Sequence, residues 1–590
     1  MNKHPMQFDH LFITKLESWS GVKSRFQDLF TNKELEFLYC TEKTFNISRR
    51  IIAFLSFENH FASLGGLAAV ANHLPMWLKK KGEKVIFITP FHSKHPAIIK
   101  AVKTGELKEL FKNVSFASGK FKAKVSCFQD TTAGIPSYHL KVKGYFESGE
   151  NPYNNDPEKL LLDSLVFTSA VPIVLNKLGF KENVIFHAHD WETAPISLSS
   201  KYAVINGVLK NARTILTLHN SFDTALPQEY KILFYGKSFR GDTVLQCSIP
   251  MLNGPLTTVS APFAHELRHD PLQRSVFTDH LQSTFMMNPP IGVENGMFGE
   301  PESPFSPSVL AKSVAGNHDS LLKNKEKFRI KFLEELESTN DSRCIGRIKF
   351  AEKNKTAPIF FMSGRLDFGQ KGFDVIFNAF KKLKPGSAKL FFCPSSRNAG
   401  TDLGFFTEIE KKCHGDIVIW PFRISREQYK TFLQGSSFLL MPSFYEPFGA
   451  ATEGFIHGTP VLARATGGLW VQVNPCIEIP VPTIYNKILK TDDQKPTGIL
   501  FREKFADSSA AKNWRLILES DPRKRMRIPL YSAMVDAALE SLKQAIKIYS
   551  DKTQYAHLIT NGLEMVKTFS WETAVIKYKK IYDVTSLRGF

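Results

Sequence analysis

Arg365 and Lys371 stand six positions apart in GRLDFGQKGFDV, residues 364–375, with Gly372 beside the lysine. Two cations and a glycine between an apolar run and a helical pattern suit a diphosphate, because cationic donors neutralise its oxygens and glycine clears the backbone. Ordinary surface charge is the competing reading of Lys371. A second stretch, PSFYEPFGAATEGFIHGTPVLARATGGL, spans residues 442–469. Glu446 follows the apolar run FLLMPS, PFGA turns into a helix carrying Glu453, and a short strand and TGGL follow. Carboxylates at such helix starts grip vicinal hydroxyls of sugars or ribose. In the third stretch, HAHDW (187–191), Asp190 is placed to orient the imidazole of His189 toward a substrate hydroxyl or carbonyl. A strand-end histidine of purely structural use stays open, and the His-x-His spacing lacks a third metal ligand nearby. The fourth is LGGLAAVANHLPMWLKKKG, residues 64–82. Gly65 and Gly66 precede a helix whose free N–H groups and partial positive charge favour an anion, although a plain tight turn needs the same glycines.

Each stretch must be held at the end of a strand. RRIIAFLSF, KVIFITP, NVIFHAHD and RTILTLHN are short apolar runs ending in polar residues; APIFFMSGR, KLFFCP, DIVIWPF and FLLMPS repeat the pattern later. Apolar runs alternating with helical patterns predict parallel strands covered on both faces, with ligands at their carboxyl ends. Two such series predict two doubly wound α/β domains. The break falls in the Pro-, Ser- and Gly-rich segment 299–320. The expected organisation is an extension over 1–49, a first domain over 50–320, a linker helix within 321–355, a second domain over 356–545 and closing helices over 546–590.

Composition narrows the class. A chain of 590 residues exceeds what one core usually supports, and 43% hydrophobic residues argue for a packed protein. The net charge of +19 invites a nucleic-acid reading. The lysines, however, are spread along the chain as in KKLK (381–384) and KYKK (577–580), with no recognition motif for DNA or RNA. Solvated surface charge is the plainer account. The seven scattered cysteines form no CxxC pair, which fits reduced thiols in a cytoplasm. No apolar run reaches the roughly 18 residues of a membrane span, and the first residues, MNKHPMQFDHLF, lack the pattern of a signal peptide. Asp492–Asp493 reads as part of a solvated polar insertion.

These stretches resemble the glycogen and starch synthases, retaining glucosyltransferases. The likeness runs from about Arg50 to the C-terminus and includes LGGLAAVANHLPMWLKKKGEKVIFITPFH, FHAHDWETA, TILTLHNS, TTVSAPFAHEL, IGVENGMF, GRLDFGQKG, SFYEPFGAATEGF, TGGL, TGILFRE and FSWETAVIKYKKIYD. It implies the GT-B fold: two Rossmann-like, doubly wound parallel-sheet α/β domains facing a central cleft. It also implies transfer of glucose from ADP-glucose or UDP-glucose to the non-reducing end of an α-1,4-glucan, without a metal or other cofactor. By the resemblance, Gly65 and Gly66 face the donor diphosphate, with Asp190 nearby, and His189 bonds the donor glucose. Arg365 and Lys371 neutralise the phosphates. Glu446 contacts the transferred sugar, with Phe448, Gly449 and Ala450 lining the same loop.

The spacing from Arg365 to Lys371 is similar to that of archaeal-type members. Three features depart from the family's pattern. The family usually writes KxGGL with an acidic residue soon after; here Ser63 holds the lysine's place and Ala69 the acidic one's. Glu446 and Glu453 are seven apart, where relatives carrying both place them eight apart. The family's Asn-x-x-Lys block is absent from VLQCSIPMLNGPL. Two other functions therefore stay open: a transferase of the same fold with another donor or acceptor, and a glucan- or partner-binding protein with an impaired site.

Overall fold

Apolar strands buried on both faces need helices on either side, and the chain builds two such assemblies. The computed structural model describes residues 26–298, 302–350, 356–395, 403–486 and 494–588; Asp492–Asp493 and residues 1–25 of the extension lie outside these. The chain divides into two compact units. The first runs to Val259 and adds Phe277–Asn295 and the chain from Trp571; the second holds Ser260–Val276 and Gly296–Ser570.

The first unit carries a nine-stranded sheet in the order β3-β4-β5-β2-β1-β6-β7-β8-β9. Its strands are β1 (Ile51–Leu55), β2 (Val85–Pro90), β3 (Leu107–Ser118), β4 (Phe121–Asp130), β5 (Ser137–Val142), β6 (Val184–His189), β7 (Ala212–Leu218), β8 (Leu256–Thr258) and β9 (Ile291–Gly292). β2, β6 and β7 are buried along their whole length, as continuous apolar runs require. The β3–β4 hairpin and its antiparallel pairing with β5 are not anticipated by the apolar runs, because β4 alternates exposed and buried residues. The described part of the extension is integral to this unit. Thr31 and Glu34 form a capping box at the start of helix Asn32–Glu42, and Phe26, Leu29, Phe30, Leu35 and Leu38 are buried. The closing helix Trp571–Leu587 packs on the same sheet: Tyr582 Oη lies 2.9 Å from His187 Nδ1, and Arg50 bridges Glu83 and Asp583.

The second unit carries a seven-stranded sheet in the order β10-β13-β12-β11-β14-β15-β16. These are β10 (Ile345–Gly346), β11 (Ile359–Arg365), β12 (Lys389–Ser395), β13 (Ile417–Ile419), β14 (Phe438–Met441), β15 (Val461–Arg464) and β16 (Gly498–Phe501). All pair in parallel except β10, an edge strand antiparallel to β13.

The boundary expected at 320 falls instead at Asn295–Gly296, and the helix expected as a linker, Asp319–Ser338, is packed into the second unit. The cause is specific packing. Lys325, buried at the second turn, donates to the carbonyls of Gln434 (2.7 Å) and Ser436 (3.1 Å) and to Thr459 Oγ1 (3.1 Å). Burial lowers its ammonium pKa to about 7. Gly435 lets this helix lie close to helix Arg426–Gly435. Among the described residues no helix is long and apolar enough to cross a membrane.

A Cβ on Gly435 would sit 2.4 Å from Phe332 Cβ and 2.6 Å from the Phe328 carbonyl oxygen. Gly435→Ala is expected to destabilise the second unit by about 1–3 kcal/mol through overpacking. Urea denaturation followed by tryptophan fluorescence checks this; an unchanged midpoint would show that the two helices are not closely seated.

Candidate functional site

A doubly wound sheet binds ligands where successive strands depart to opposite sides, because the loops there part and leave the strand ends open. In the second sheet the chain moves from β11 to β12 and β13 on one side, then returns to β14 on the other. β11 and β14 are therefore the neighbours at the switch, paired through Phe360–Phe438 and Phe361–Leu439. Arg365 ends β11, Lys371 lies in the following loop, and Glu446 follows β14.

The structure brings these three residues into two adjoining networks. Lys371 Nζ donates to Glu446 Oε2 at 2.7 Å, and Ser443 Oγ donates to the same oxygen at 2.9 Å. Arg365 Nη2 donates to Asp367 Oδ2 at 3.0 Å and to Gln370 Oε1 at 2.5 Å. Gln370 connects the two, since its carbonyl accepts the Phe444 N–H at 2.7 Å. Gly372 caps helix Phe373–Phe380 at φ +57°, and a Cβ there would lie 2.3 Å from the Pro442 oxygen. The glycine beside Lys371 thus serves close backbone approach to the loop that carries Glu446.

That loop is anchored along its length. Arg464 Nη1 donates to the Phe444 carbonyl (2.7 Å), the Gly468 N–H to the Glu446 carbonyl (2.9 Å), and Ser260 Oγ to the Pro447 carbonyl (2.6 Å). Gly449 is bonded through both backbone groups to the Gln472 side chain. Phe448 packs edge-on to Phe298 and Phe569, and Ala450 precedes helix Ala451–Ile456. The TGGL segment is held in turn by Glu266, whose Oε1 accepts from the Gly467 N–H (2.6 Å), Thr466 Oγ1 (3.1 Å) and Tyr485 Oη (2.6 Å). Glu453 is not paired with Glu446; its Oε2 accepts from Tyr429 Oη at 2.7 Å.

In the first sheet the switch lies between β1 and β6, which pair through Ile51–Val184 to Leu55–Ala188. Gly65 and Gly66 follow β1, and His189 ends β6. Gly65 is the N-cap of helix Gly66–Lys80 at an extended φ of −148°, and a Cβ there would meet only Glu58 Oε1, at 3.8 Å. Neither strain nor crowding within the chain requires glycine at this position. The N–H groups of Leu64 and Gly65 donate to Glu58 Oε2 at 2.8 and 2.9 Å, and Tyr153 Oη donates to Oε1 at 2.9 Å. A carboxylate of the chain itself thus holds the two N–H groups just ahead of the helix's first turn.

His189 is buried, stacked on Phe54 with ring centroids 4.0 Å apart. The orienting partner expected from sequence is corrected. His189 Nδ1 lies 2.9 Å from His219 Nε2, while Asp190 Oδ1 accepts the backbone N–H of His219 at 2.6 Å. Burial, then the neighbouring His187 and His219, hold the His189 imidazole neutral, and its Nε2 has no hydrogen-bond partner. A neutral ring with an open nitrogen can accept from a hydroxyl or donate to a carbonyl. Asp190 has φ +60°, in the left-handed region that Asp and Asn tolerate better than most residues.

Sequence reasoning passed over Glu58, His219, Gln370, Gln472 and Glu266 as supports. Glu266 sits in the quoted TTVSAPFAHEL block, whereas nothing in the sequence marked Gln472.

Burial, with a smaller contribution from Glu58, raises the Asp190 carboxyl from 3.8 to about 7. The native state keeps a proton that the unfolded chain releases near pH 4. Stability from this group is thus complete below about pH 4 and is lost as pH rises through 7. Asp190→Asn keeps the acceptor and tolerates the backbone but cannot titrate. Relative to that variant, the wild type should lose up to ~1.4 kcal/mol per pH unit between about pH 4 and 7, then level off. Denaturant titrations across that range check it; a constant difference would show an ordinary carboxylate.

Comparison with known proteins bears on the family and the fold. The starch synthase catalytic domain family matches residues 51–274, and the glycosyl transferases group 1 family matches 347–528. The glycogen synthase of Alkaliphilus metalliredigens is 25% identical over 556 residues, covering 90% of this chain and 99% of that protein. The Bacillus anthracis glycogen synthase is 24% identical, covering 88% and 96%. Among solved structures, the catalytic domain of starch synthase IV from Arabidopsis thaliana, bound to ADP and acarbose, shares the fold. Its TM-score is 0.66 at 19% identity, over 91% of this chain and 99% of that one. The sucrose-phosphate synthase of Thermosynechococcus elongatus follows with a TM-score of 0.51 at 16% identity, over 91% and 98%. With two parallel-dominated sheets, both family domains in order and relatives matched over nearly their full length, the chain belongs to the glycogen and starch synthase family of glycosyltransferases and has the GT-B fold.

Proposed function

We propose that this glycosyltransferase moves glucose from ADP-glucose or UDP-glucose to the non-reducing end of an α-1,4-glucan, with retention of configuration. The observation that carries the reading is the Lys371–Glu446 pair beside Arg365 at the β11/β14 switch. When a sugar nucleotide loses its diphosphate, negative charge grows on the leaving oxygen. Arg365 and Lys371 would stabilise that charge, each such contact being worth roughly 3–4 kcal/mol of barrier. In this reading the phosphates replace Asp367 and Glu446 as partners of the two cations, and Glu446 contacts the transferred sugar. Phe448, Gly449 and Ala450 shape the same turn. In the first unit, His189 would meet a glucose hydroxyl through Nε2, and Gly65 and Gly66 would leave room for a phosphate. The charge neutralisation needs no metal or cofactor. The glycogen synthases among the relatives support the glucan acceptor, and the ADP bound to the starch synthase IV structure supports a nucleoside diphosphate leaving group. All seven cysteines are free, in keeping with a cytoplasmic enzyme.

One observation favours a second reading, a different donor or acceptor or an impaired glucan-binding protein. Ser63 is exposed where the family carries lysine, and Glu58 holds the neighbouring N–H groups. A charged hydrogen bond contributes about 1.5–3 kcal/mol, so its loss slows turnover roughly 10- to 100-fold.

Purified protein with ADP-glucose or UDP-glucose and glycogen should release nucleoside diphosphate and lengthen the glucan. Hydrolysis without growth would point to another acceptor, and glucan binding without turnover to an impaired site. Lys371→Ala should lower turnover at least tenfold with the fold unchanged by circular dichroism; near-normal turnover would remove Lys371 from the site. Ser63→Lys should raise activity if a single cation has been lost, and no gain would indicate a pocket rebuilt around Glu58.

A further inference from the structure

Gln472 is fully buried, at the end of the short helix Leu469–Gln472 that follows Gly467 and Gly468. Its side-chain amide meets a single residue through both of its ends. Oε1 accepts the Gly449 N–H at 3.1 Å, and Nε2 donates to the Gly449 carbonyl at 2.8 Å. This is the pairing that one strand offers the next, supplied here by a side chain to a residue outside any strand. An amide presents a donor and an acceptor in one plane at that separation, as a carboxyl group does only while it keeps its proton. A carboxylate lacks the donor, and an apolar side chain lacks both.

The residue it grips cannot relax by acquiring a side chain. A Cβ on Gly449 would lie 2.9 Å from Leu469 Cδ2, 2.9 Å from Met441 Cε and 3.0 Å from Glu446 Cγ. The backbone at Gly449 is thus fixed directly against the stem of Glu446. Gln472 is also tied to the other side of the same turn, because its helix begins at Gly468, whose N–H holds the Glu446 carbonyl at 2.9 Å.

We infer that Gln472 is a positioning residue for glycosyl transfer: by clamping both backbone groups of Gly449 it fixes the Phe448–Ala450 turn against Glu446. The inference rests on the reading that Lys371 and Glu446 serve the donor. Gln472 touches neither, so it acts on the reaction only through the turn. A positioned group contributes most where geometry is strictest, in the transition state, so its loss lowers kcat more than it raises KM.

The test uses the full chain and whichever of ADP-glucose and UDP-glucose the wild type turns over, with glycogen as acceptor. Gln472→Met removes both bonds with an unbranched side chain of similar length; Gln472→Leu removes both at similar volume. Both are expected to lower kcat at least tenfold while the donor KM changes less than threefold. Circular dichroism and thermal melts run beside the kinetics confirm that the molecules assayed are folded. Folded Gln472→Met with kcat within twofold of wild type, whatever its melting temperature, would overturn the inference and leave Gln472 a structural residue. If Gln472→Leu fails to fold, Gln472→Met alone decides. Lys371→Ala is measured in parallel. Loss of turnover there with normal Gln472→Met defeats only the clamp, whereas normal turnover in Lys371→Ala, or a wild type inactive with both sugar nucleotides, defeats the reading beneath it and the clamp together.

Discussion

The second unit depends on satisfying one irregular turn. Residues 443–449 leave β14 without entering a helix or a strand, so their backbone groups must find partners elsewhere. A buried donor or acceptor left unpaired costs about 1–3 kcal/mol, and several such groups in one turn would rival the stability of a domain. The chain answers with groups from four directions: the Gln370 carbonyl, the Arg464 guanidinium, the Gly468 N–H and the Gln472 amide. Each is fixed in turn. Arg464 is paired with Glu503, and Gly467, beside Gly468, is held by Glu266. Burial, with the charge of nearby Asp270, pushes the Glu266 carboxyl up to about 7, so a costly buried acid is retained where it anchors three donors.

Glycines show how differently a repeated residue type can be used. Gly467 has φ +48°, and a Cβ there would lie 2.0 Å from the Glu446 carbonyl oxygen. Only glycine fits, and the reason is backbone packing against backbone. Gly65 has an extended φ, and a Cβ there would meet only Glu58 Oε1 at an ordinary 3.8 Å, so nothing inside the chain demands glycine. The first position explains itself by folding. In the proposed reading, the second would serve the approach of a phosphate to a helix start beside the β1/β6 switch.

Much of this was legible in the sequence. Continuous apolar runs marked the buried parallel strands, and the polar residues after them marked strand ends, so Arg365, Lys371, Glu446 and His189 were placed at or just after the ends of strands, as the structure has them. What escaped has physical causes. The β3–β4 hairpin alternates burial and lacks an apolar run. The helix Asp319–Ser338 reads as a charged linker because its buried Lys325 and Arg329 are charged, although carbonyl oxygens receive both. The partner of His189 was misassigned because adjacency in sequence favoured Asp190, whereas a strand-end residue at φ +60° turns its side chain to the neighbouring strand's loop instead. Gln472 was invisible because an amide that pairs with backbone leaves no spacing pattern.

The use of a single oxygen of Glu446 bears on how a carboxylate can serve a sugar while sitting against a cation. Oε2 takes both the Lys371 ammonium and the Ser443 hydroxyl, and among the described residues Oε1 has no hydrogen-bond partner. A half-buried ammonium–carboxylate pair contributes little net stability, because desolvating both charges offsets most of their attraction. Its effect here is orientation. The two donors on Oε2 fix the plane of the carboxyl group, and the anchored turn fixes its position, so the direction of Oε1 is set before anything binds. In the proposed reading, an incoming phosphate that drew Lys371 away would exchange one anion for another at the ammonium, and the hydroxyl of Ser443 would remain to hold Oε2. On that reading the same carboxylate would accept from a sugar hydroxyl without a change in its own placement, which is the condition for an interaction that strengthens as the reaction proceeds.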